Sequence, residues 1–205
     1  MFALPSGQRN AEGSSDANPI RLEGIKAKEF RYLLKVLYPP VNARSVSATS
    51  EEWKVILKLA TFWRFLEIRA LAIENLTSCG SMRTREKIVL GRKYFVAEWV
   101  KSGYHDLIKR NEMPTVEDFD MIGYATGIRI FRVREELKKV AQESFKLYSY
   151  NRVCFNCNTQ DQSYNFCQGC MEKWMDRPGN IPKVESAINK EFHAELEDIA
   201  RENTS

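Results

Sequence analysis

Histidine is nearly absent from this chain, with two residues in 205, and that leaves little room for imidazole chemistry. His105 precedes Asp106 and His193 follows Phe192, each within a segment of helical spacing. Sequence neighbours do not face one another on a helix, so His105 and Asp106 are not read as a dyad. The phosphate-cradling patterns G-x-x-x-x-G-K-[ST] and G-x-G-x-x-G, the G-x-S-x-G elbow and H-E-x-x-H are missing as well. A non-enzymatic protein is the expectation. Cysteine is also scarce, at five residues, four of them between 154 and 170. That distribution does not suit a disulfide framework, and no basic segment leads into an apolar stretch near the start, so the chain is read as intracellular, in nucleus or cytoplasm. No apolar run approaches the roughly 18–20 residues needed to span a bilayer. Lys58, Arg64 and Arg69 interrupt even the most hydrophobic stretches, and Gly123 and Gly127 form a G-x-x-x-G match without a membrane context. No membrane partner is expected.

What is present suits one sizeable core with an extension: 43% of residues are hydrophobic and 28% charged. The net charge of +4 is modest but uneven. Residues 83–110 and 129–139 are basic, whereas 191–202 are mostly acidic. Runs of this kind are commonly solvated helix faces, and nucleic acid is not the expected partner.

Along the chain, 1–15 read as a loop. Pro19-Ile-Arg-Leu22 alternates apolar and polar residues between turn formers and predicts one short strand. From Lys26 the period becomes helical: Phe30, Leu33, Leu34 and Leu37 share a face, and Pro39 and Pro40 end the helix. Thr49 with Glu52 is a capping box, followed by Trp53, Ile56, Leu57 and Ala60 on one face. The phase slips at 61–64 and resumes with Ile68, Leu71, Ala72 and Leu76, which predicts two packed helices in place of one. Trp53, Leu57, Trp63, Ile68 and Leu71 are read as core, with any exposed member marking a partner site or an aggregation liability. Further helices are predicted at 85–94, 97–110, 116–122 (with Thr115 and Asp118 as a second capping pair), 124–147 and 184–201. Cys79 follows a helix end and reads as an unpaired thiol. A single strand cannot make a sheet, so the strand at 19–22 is an anomaly.

Several segments in order carry a family resemblance: Met-Phe-Ala-Leu-Pro at 1–5, Gly-Ser-Ser-Asp-Ala-Asn-Pro-Ile-Arg-Leu-Glu-Gly at 13–24, Phe-Arg-Tyr-Leu-Leu-Lys-Val-Leu-Tyr-Pro-Pro at 30–40 and Glu-Trp-Lys-Val-Ile-Leu-Lys-Leu-Ala-Thr-Phe-Trp at 52–63. Ile-Arg-Ala-Leu-Ala-Ile-Glu-Asn-Leu at 68–76, Lys-Ile-Val-Leu-Gly-Arg-Lys-Tyr at 87–94 and the Trp99 region continue it. Together, over 1–136, they resemble BTB/POZ domain proteins, especially the expanded group of mushroom-forming fungi. The resemblance implies the C-terminal part of an α+β BTB/POZ fold with one residual strand, mainly α, followed by a helical extension. Such proteins open with a β-hairpin and two helices ahead of the segment matched by 1–5. Those elements are not encoded here, which would explain the lone strand, and the expectation is a fragment or truncated gene model whose true start lies upstream, with a degenerate paralogue as the alternative. The resemblance implies homodimerisation through those opening elements, so homodimerisation by that route is not expected of this chain. It implies partners such as the cullin scaffold of ubiquitin ligases or transcriptional regulators.

Beyond the region of resemblance stand Cys154-Phe-Asn-Cys157 and Cys167-Gln-Gly-Cys170. A C-x-x-C turn places two thiolates on one metal, and two such turns complete a tetrahedral site with Zn–S distances of about 2.3 Å. Four thiolates leave no open position, so the Zn2+ expected on Cys154, Cys157, Cys167 and Cys170 is structural, fastening the long charged helix to a tail that reads as too poor in apolar residues to hold itself. The expected organisation is a partial BTB/POZ domain at 1–79, a helical extension at 80–150, a four-cysteine zinc-like unit at 151–178 and a closing helix at 179–205. The expected function is a protein interaction module, an adaptor in ubiquitin ligation or transcription. The alternatives are a zinc-stabilised nucleic-acid-binding protein, in which the four-cysteine unit and the basic runs 83–110 and 129–139 would contact phosphates, the aromatic residues near the cysteines reading as cover for a small zinc core before base stacking, and a truncated product without function.

Overall fold

Apolar residues at helical spacing form helices throughout the computed structural model, which describes residues 12–13, 15–39, 46–110, 112, 114–145 and 173–204. The chain divides into two units, Met1–Cys79 and Gly80–Ser205. The protein is mainly helical, and no helix of the described residues is long and apolar enough to cross a membrane.

The first unit holds α1 (Ala27–Leu37), α2 (Ser50–Phe62) and α3 (Leu66–Ser78). The start of α2 follows from its first residues: Thr49 Oγ1 accepts from the Glu52 N–H at 3.3 Å, and the Glu52 carboxylate accepts from the Thr49 N–H at 2.9 Å. That backbone donor, together with the Lys35 ammonium of α1 at 2.9 Å, holds the Glu52 carboxyl below its ordinary range. Lys58 on α2 reaches back to Glu29 on α1 at 3.2 Å, so two ion pairs bridge these helices. Beneath them Leu33, Trp53, Ile56, Leu57, Leu59, Ala60, Ala72 and Leu76 are buried. Each large aliphatic side chain in such a core contributes about 1.5–3 kcal/mol.

The strand expected at 19–22 does not form. Ser15 and Asn18 make an isolated antiparallel bridge, and the Gly13 N–H donates to the Asn18 carbonyl at 2.7 Å, closing a local turn. Residues 19–22 run on without ladder bonds, and Ile20 and Leu22 are exposed. Ile20 packs so close to Gly13 that a Cβ there would lie 2.8 Å from Ile20 Cγ1. Apolar–polar alternation supplies one half of a strand, and a neighbouring backbone supplies the other.

Two corners in the chain are built alike. After α2, Arg64 adopts φ 58° and the Phe65 N–H donates to the Ala60 carbonyl at 2.8 Å. After α4 (Thr84–Lys93), Phe95 adopts φ 55° and the Val96 N–H donates to the Gly91 carbonyl at 2.8 Å, before α5 (Ala97–Lys109) begins. Both are Schellman closures with a side-chain-bearing residue in the left-handed position usually held by glycine. Ala60 and Ala72 of the first hairpin stand where the second has Gly91 and Gly103, and Leu76 stands where the second has Leu107.

The second unit adds α6 (Val116–Ile122), α7 (Tyr124–Phe145) and α8 (Ile181–Thr204). Its hairpin is packed backbone to backbone. A Cβ on Gly91 would meet Val100 Cγ2 at 2.6 Å, and one on Gly103 would meet Ile88 Cγ1 at 2.4 Å. Thr115 and Asp118 form the expected capping box of α6. The Asp118 carboxylate is almost fully buried, with Oδ2 accepting from the Thr115 N–H at 2.8 Å and from Arg110 at 3.4 Å, and Oδ1 lying 3.3 Å from Arg85.

Helix α8 packs on α5 and α7 within one core. The expectation that the tail holds too few apolar residues is overturned, because Val184, Ile188, Phe192 and Ile199 fall on one face and are buried. The Phe192 ring lies 4.1 Å from that of Tyr104, and the Arg129 guanidinium covers it at 4.1 Å. A polar network surrounds this contact. Glu195 Oε1 accepts from Arg92 Nε at 2.9 Å and from the Tyr104 hydroxyl at 2.7 Å, and Oε2 accepts from Arg129 at 3.2 Å. Arg92 also donates to the Ile122 carbonyl, the Tyr104 oxygen and Thr126 Oγ1. Burial and donation to Glu195 push the Tyr104 phenol well above its ordinary range. Trp174 and Met175, on a helical turn at 173–175, are buried in the same core.

Candidate interaction surface

The phase slip between α2 and α3 places aromatic side chains where no helix face can absorb them all. Trp63, the C-cap of α2, turns inward and meets Phe30 of α1 edge to face at 5.9 Å. Phe62 and Phe65 flank it at 5.9 and 6.1 Å. Three rings in four residues cannot share one inward direction at 100° per residue, and the left-handed Arg64 turns the chain between them. Phe62 is 73% exposed and Leu66, the first residue of α3, is 68% exposed, while Phe65 lies partly open beside them.

Helix α3 extends the problem. Leu66, Ile68, Leu71, Ala72, Ile73 and Leu76 spread over more than half of its circumference, yet only Ala72 and Leu76 are buried. An apolar arc that wide exceeds what α2 alone covers. Of the five residues expected in the core, Trp53 and Leu57 are buried, Trp63 and Ile68 are half-buried, and Leu71 is 37% exposed. The reading of Leu71 as core is therefore corrected: α2 claims one face of α3, and Leu71 is not on it. Phe62, Phe65 and Leu66 were not singled out by periodicity. Their signal was negative, since they are large apolar residues that fall out of phase with the stripe on either side.

Cys154, Cys157, Cys167 and Cys170 lie outside the described residues. Among the described residues, no group of three or more His, Cys, Asp or Glu side chains is arranged to hold a metal. Cys79 caps α3, and its thiol donates to the Leu76 carbonyl at 3.3 Å. The Asp106 carboxylate is engaged by Lys87 at 2.7 Å, and His193 lies 3.6 Å from Glu197.

The two basic runs are largely matched by carboxylates. Arg85 and Arg110 meet Asp118, and Lys109 meets Asp176. Arg92 and Arg129 meet Glu195, Arg132 meets Glu191, and Lys138 meets Glu135. A cation held this way has already lost much of the unmatched charge that attracts phosphate.

No protein-family model, curated protein or solved structure matches the chain.

Proposed function

We propose that the protein is a non-enzymatic interaction module of the BTB/POZ kind, binding a protein partner through the apolar surface at the α2–α3 corner. The observation that carries this reading is the exposure of Phe62 and Leu66 on a corner whose backbone is closed by its own hydrogen bonds. Apolar side chains carried on a backbone closed by its own hydrogen bonds need no backbone ordering when covered, which lowers the cost of binding. The sequence resemblance supports an adaptor role, with a cullin scaffold or a transcriptional regulator as the partner class. The matched basic runs weigh against the nucleic-acid reading.

A Phe62→Ser, Leu66→Ser double variant tests the corner. Exposed substitutions of this kind change stability by about 0.5 kcal/mol or less, so helicity and melting temperature should match the parent. Quantitative cross-linking and mass spectrometry from cell extract should show partners captured by the parent and reduced roughly tenfold or more with the variant, the loss of a modest hot spot. Equal capture by both overturns the proposal.

We further propose that Cys154, Cys157, Cys167 and Cys170 hold one structural Zn2+, the donor set that suits a closed tetrahedral site. Because α8 carries its own apolar face and ion pairs, the metal staples the segment bearing the cysteines and is not what keeps α8 in place. Purified protein should contain stoichiometric zinc, lost in a Cys154→Ser, Cys157→Ser variant, with α8 still protected from amide exchange after chelation. Folded protein without metal overturns the zinc assignment, and loss of α8 protection on chelation overturns the division of labour.

A further inference from the structure

The two Schellman corners can be compared position by position, because Ala60 matches Gly91 and Ala72 matches Gly103. On that register Phe62, Arg64 and Leu66 match Lys93, Phe95 and Ala97. In the second corner the distribution suits the fold: Lys93 is exposed, while Phe95 and Ala97 pack against the buried core. A left-handed backbone is strained for a residue with a side chain, and packing of the Phe95 ring offsets that strain. In the first corner the distribution is inverted. Phe62 and Leu66 are 73% and 68% exposed, and Arg64, at φ 58°, is exposed as well. Glycine would close this turn with less strain, so the turn alone does not account for the arginine.

Arg64 is also a cation without an anion. Among the described residues no carboxylate pairs with its guanidinium, Glu67 in the first turn of α3 included. The second unit differs in this respect too, since Arg85, Arg92, Arg110, Arg129 and Arg132 are each matched by a carboxylate. A planar guanidinium takes a carboxylate in two parallel hydrogen bonds. When a partner covers the apolar side chains on either side of Arg64, water leaves the contact and the attraction strengthens. Nucleic acid fits this surface poorly, because a phosphate backbone is held by several cations in series, and here one cation stands among apolar groups. Phe62, Phe65 and Leu66 offer much less than the roughly 800 Å2 per partner of a standard interface, which suits a short segment.

We propose that Arg64 is the specificity-determining residue of the α2–α3 corner, and that the occupant is a short acidic segment of a partner protein. An Asp or Glu carboxylate of that segment meets Arg64, and an adjoining apolar side chain lies against Phe62 and Leu66. This rests on the corner being the partner surface, and adds the chemistry of what binds there.

The probe is a phage-displayed library of random short peptides, selected on the full chain, with the affinity of a selected, labelled peptide then measured by fluorescence anisotropy across a salt series. The parent should select peptides that combine Asp or Glu with apolar residues, and Phe62→Ser, Leu66→Ser should not bind them. Arg64→Gly should bind about tenfold more weakly, the loss of one good interfacial contact, with a shallower salt dependence. Its melting temperature should be equal to or higher than the parent's, because glycine takes the left-handed position without strain. Arg64→Glu should turn the selection from acidic to basic peptides. Peptides that need Phe62 and Leu66 but bind Arg64→Gly as well as the parent would refute the role of the arginine and leave the corner as the partner surface. The same holds for an Arg64→Gly variant that melts lower, which would make Arg64 a residue of the fold. Selection of nothing that depends on Phe62 and Leu66 would sink the corner itself, and self-association of the parent through these residues, read by sedimentation, would replace the acidic segment with a second copy.

Discussion

Replacing Phe192 with alanine should cost the Gly80–Ser205 unit about 3–5 kcal/mol, the range for deleting a buried aromatic ring. The ring is fully buried, with Tyr104 on one side and Arg129 on the other, both at 4.1 Å. Its removal leaves a cavity between side chains that cannot close it. Tyr104 is held by Arg92 and Glu195, and Arg129 by Glu191 and Glu195, so neither can move in without breaking charge-assisted bonds. Chemical denaturation should show a lower midpoint at unchanged slope if the whole unit unfolds together. Loss of amide protection confined to Ile181–Thr204 would show instead that α8 detaches first. A change below about 1 kcal/mol, with protection intact, would mean that Val184, Ile188 and the ion pairs hold α8 without the ring.

Gly103→Ala is the second large effect, and here two magnitudes oppose each other. Alanine is favoured over glycine in a helix by about 1 kcal/mol, and on an open surface the substitution would stabilise. At Gly103 the new Cβ would sit 2.4 Å from Ile88 Cγ1 and 3.1 Å from the Thr84 carbonyl oxygen. Ile88 is fully buried and the carbonyl belongs to the α4 backbone, so the two helices must separate. Overpacking of this kind costs typically about 1–3 kcal/mol, and the interface is pinned again at Gly91, where a Cβ would meet Val100. The loss should win, lowering the melting temperature by several degrees. Gly179, with nothing within 4 Å of its Cβ position, is the control. Gly179→Ala should be neutral or slightly stabilising, and a Gly103→Ala variant that behaves the same way would refute close helix packing as the reason for that glycine.

Much of the helical layout was readable because its causes are local. The reciprocal bonds of Thr49 with Glu52 and of Thr115 with Asp118 lie within four residues, and the prolines after α1 act on their immediate neighbours. The break at 61–64 was visible as a loss of phase, although nothing in the residue types announced that Arg64 would take the left-handed position. The strand at 19–22 was misread for the complementary reason: Pro19-Ile-Arg-Leu22 has the alternation of a strand, but a strand is a relation between two segments, and Ile20 found Gly13 instead.

Which apolar residues stay exposed was beyond the reach of periodicity. Leu71 and Ala72 look alike to a pattern, yet Ala72 faces α2 and Leu71 does not. On α7 the stripe of Tyr124, Ile128 and Phe131 resembles a core face until Ile130, Val133 and Leu137 are seen to occupy the core. The basic runs read as solvated faces, and which carboxylates match them was not legible because those partners, Asp118, Asp176, Glu191 and Glu195, are distant in sequence or on other helices.

By itself, then, the sequence determined where helices begin and end and which four cysteines could share a metal, because caps, breakers and ligand spacing act over a few residues. Only the tertiary structure decided that α8 anchors itself beside Tyr104, that Gly91 and Gly103 bring two backbones together, and that Phe62, Leu66 and Ile128 remain uncovered. These outcomes depend on which helix faces meet, and packing between distant segments settles that.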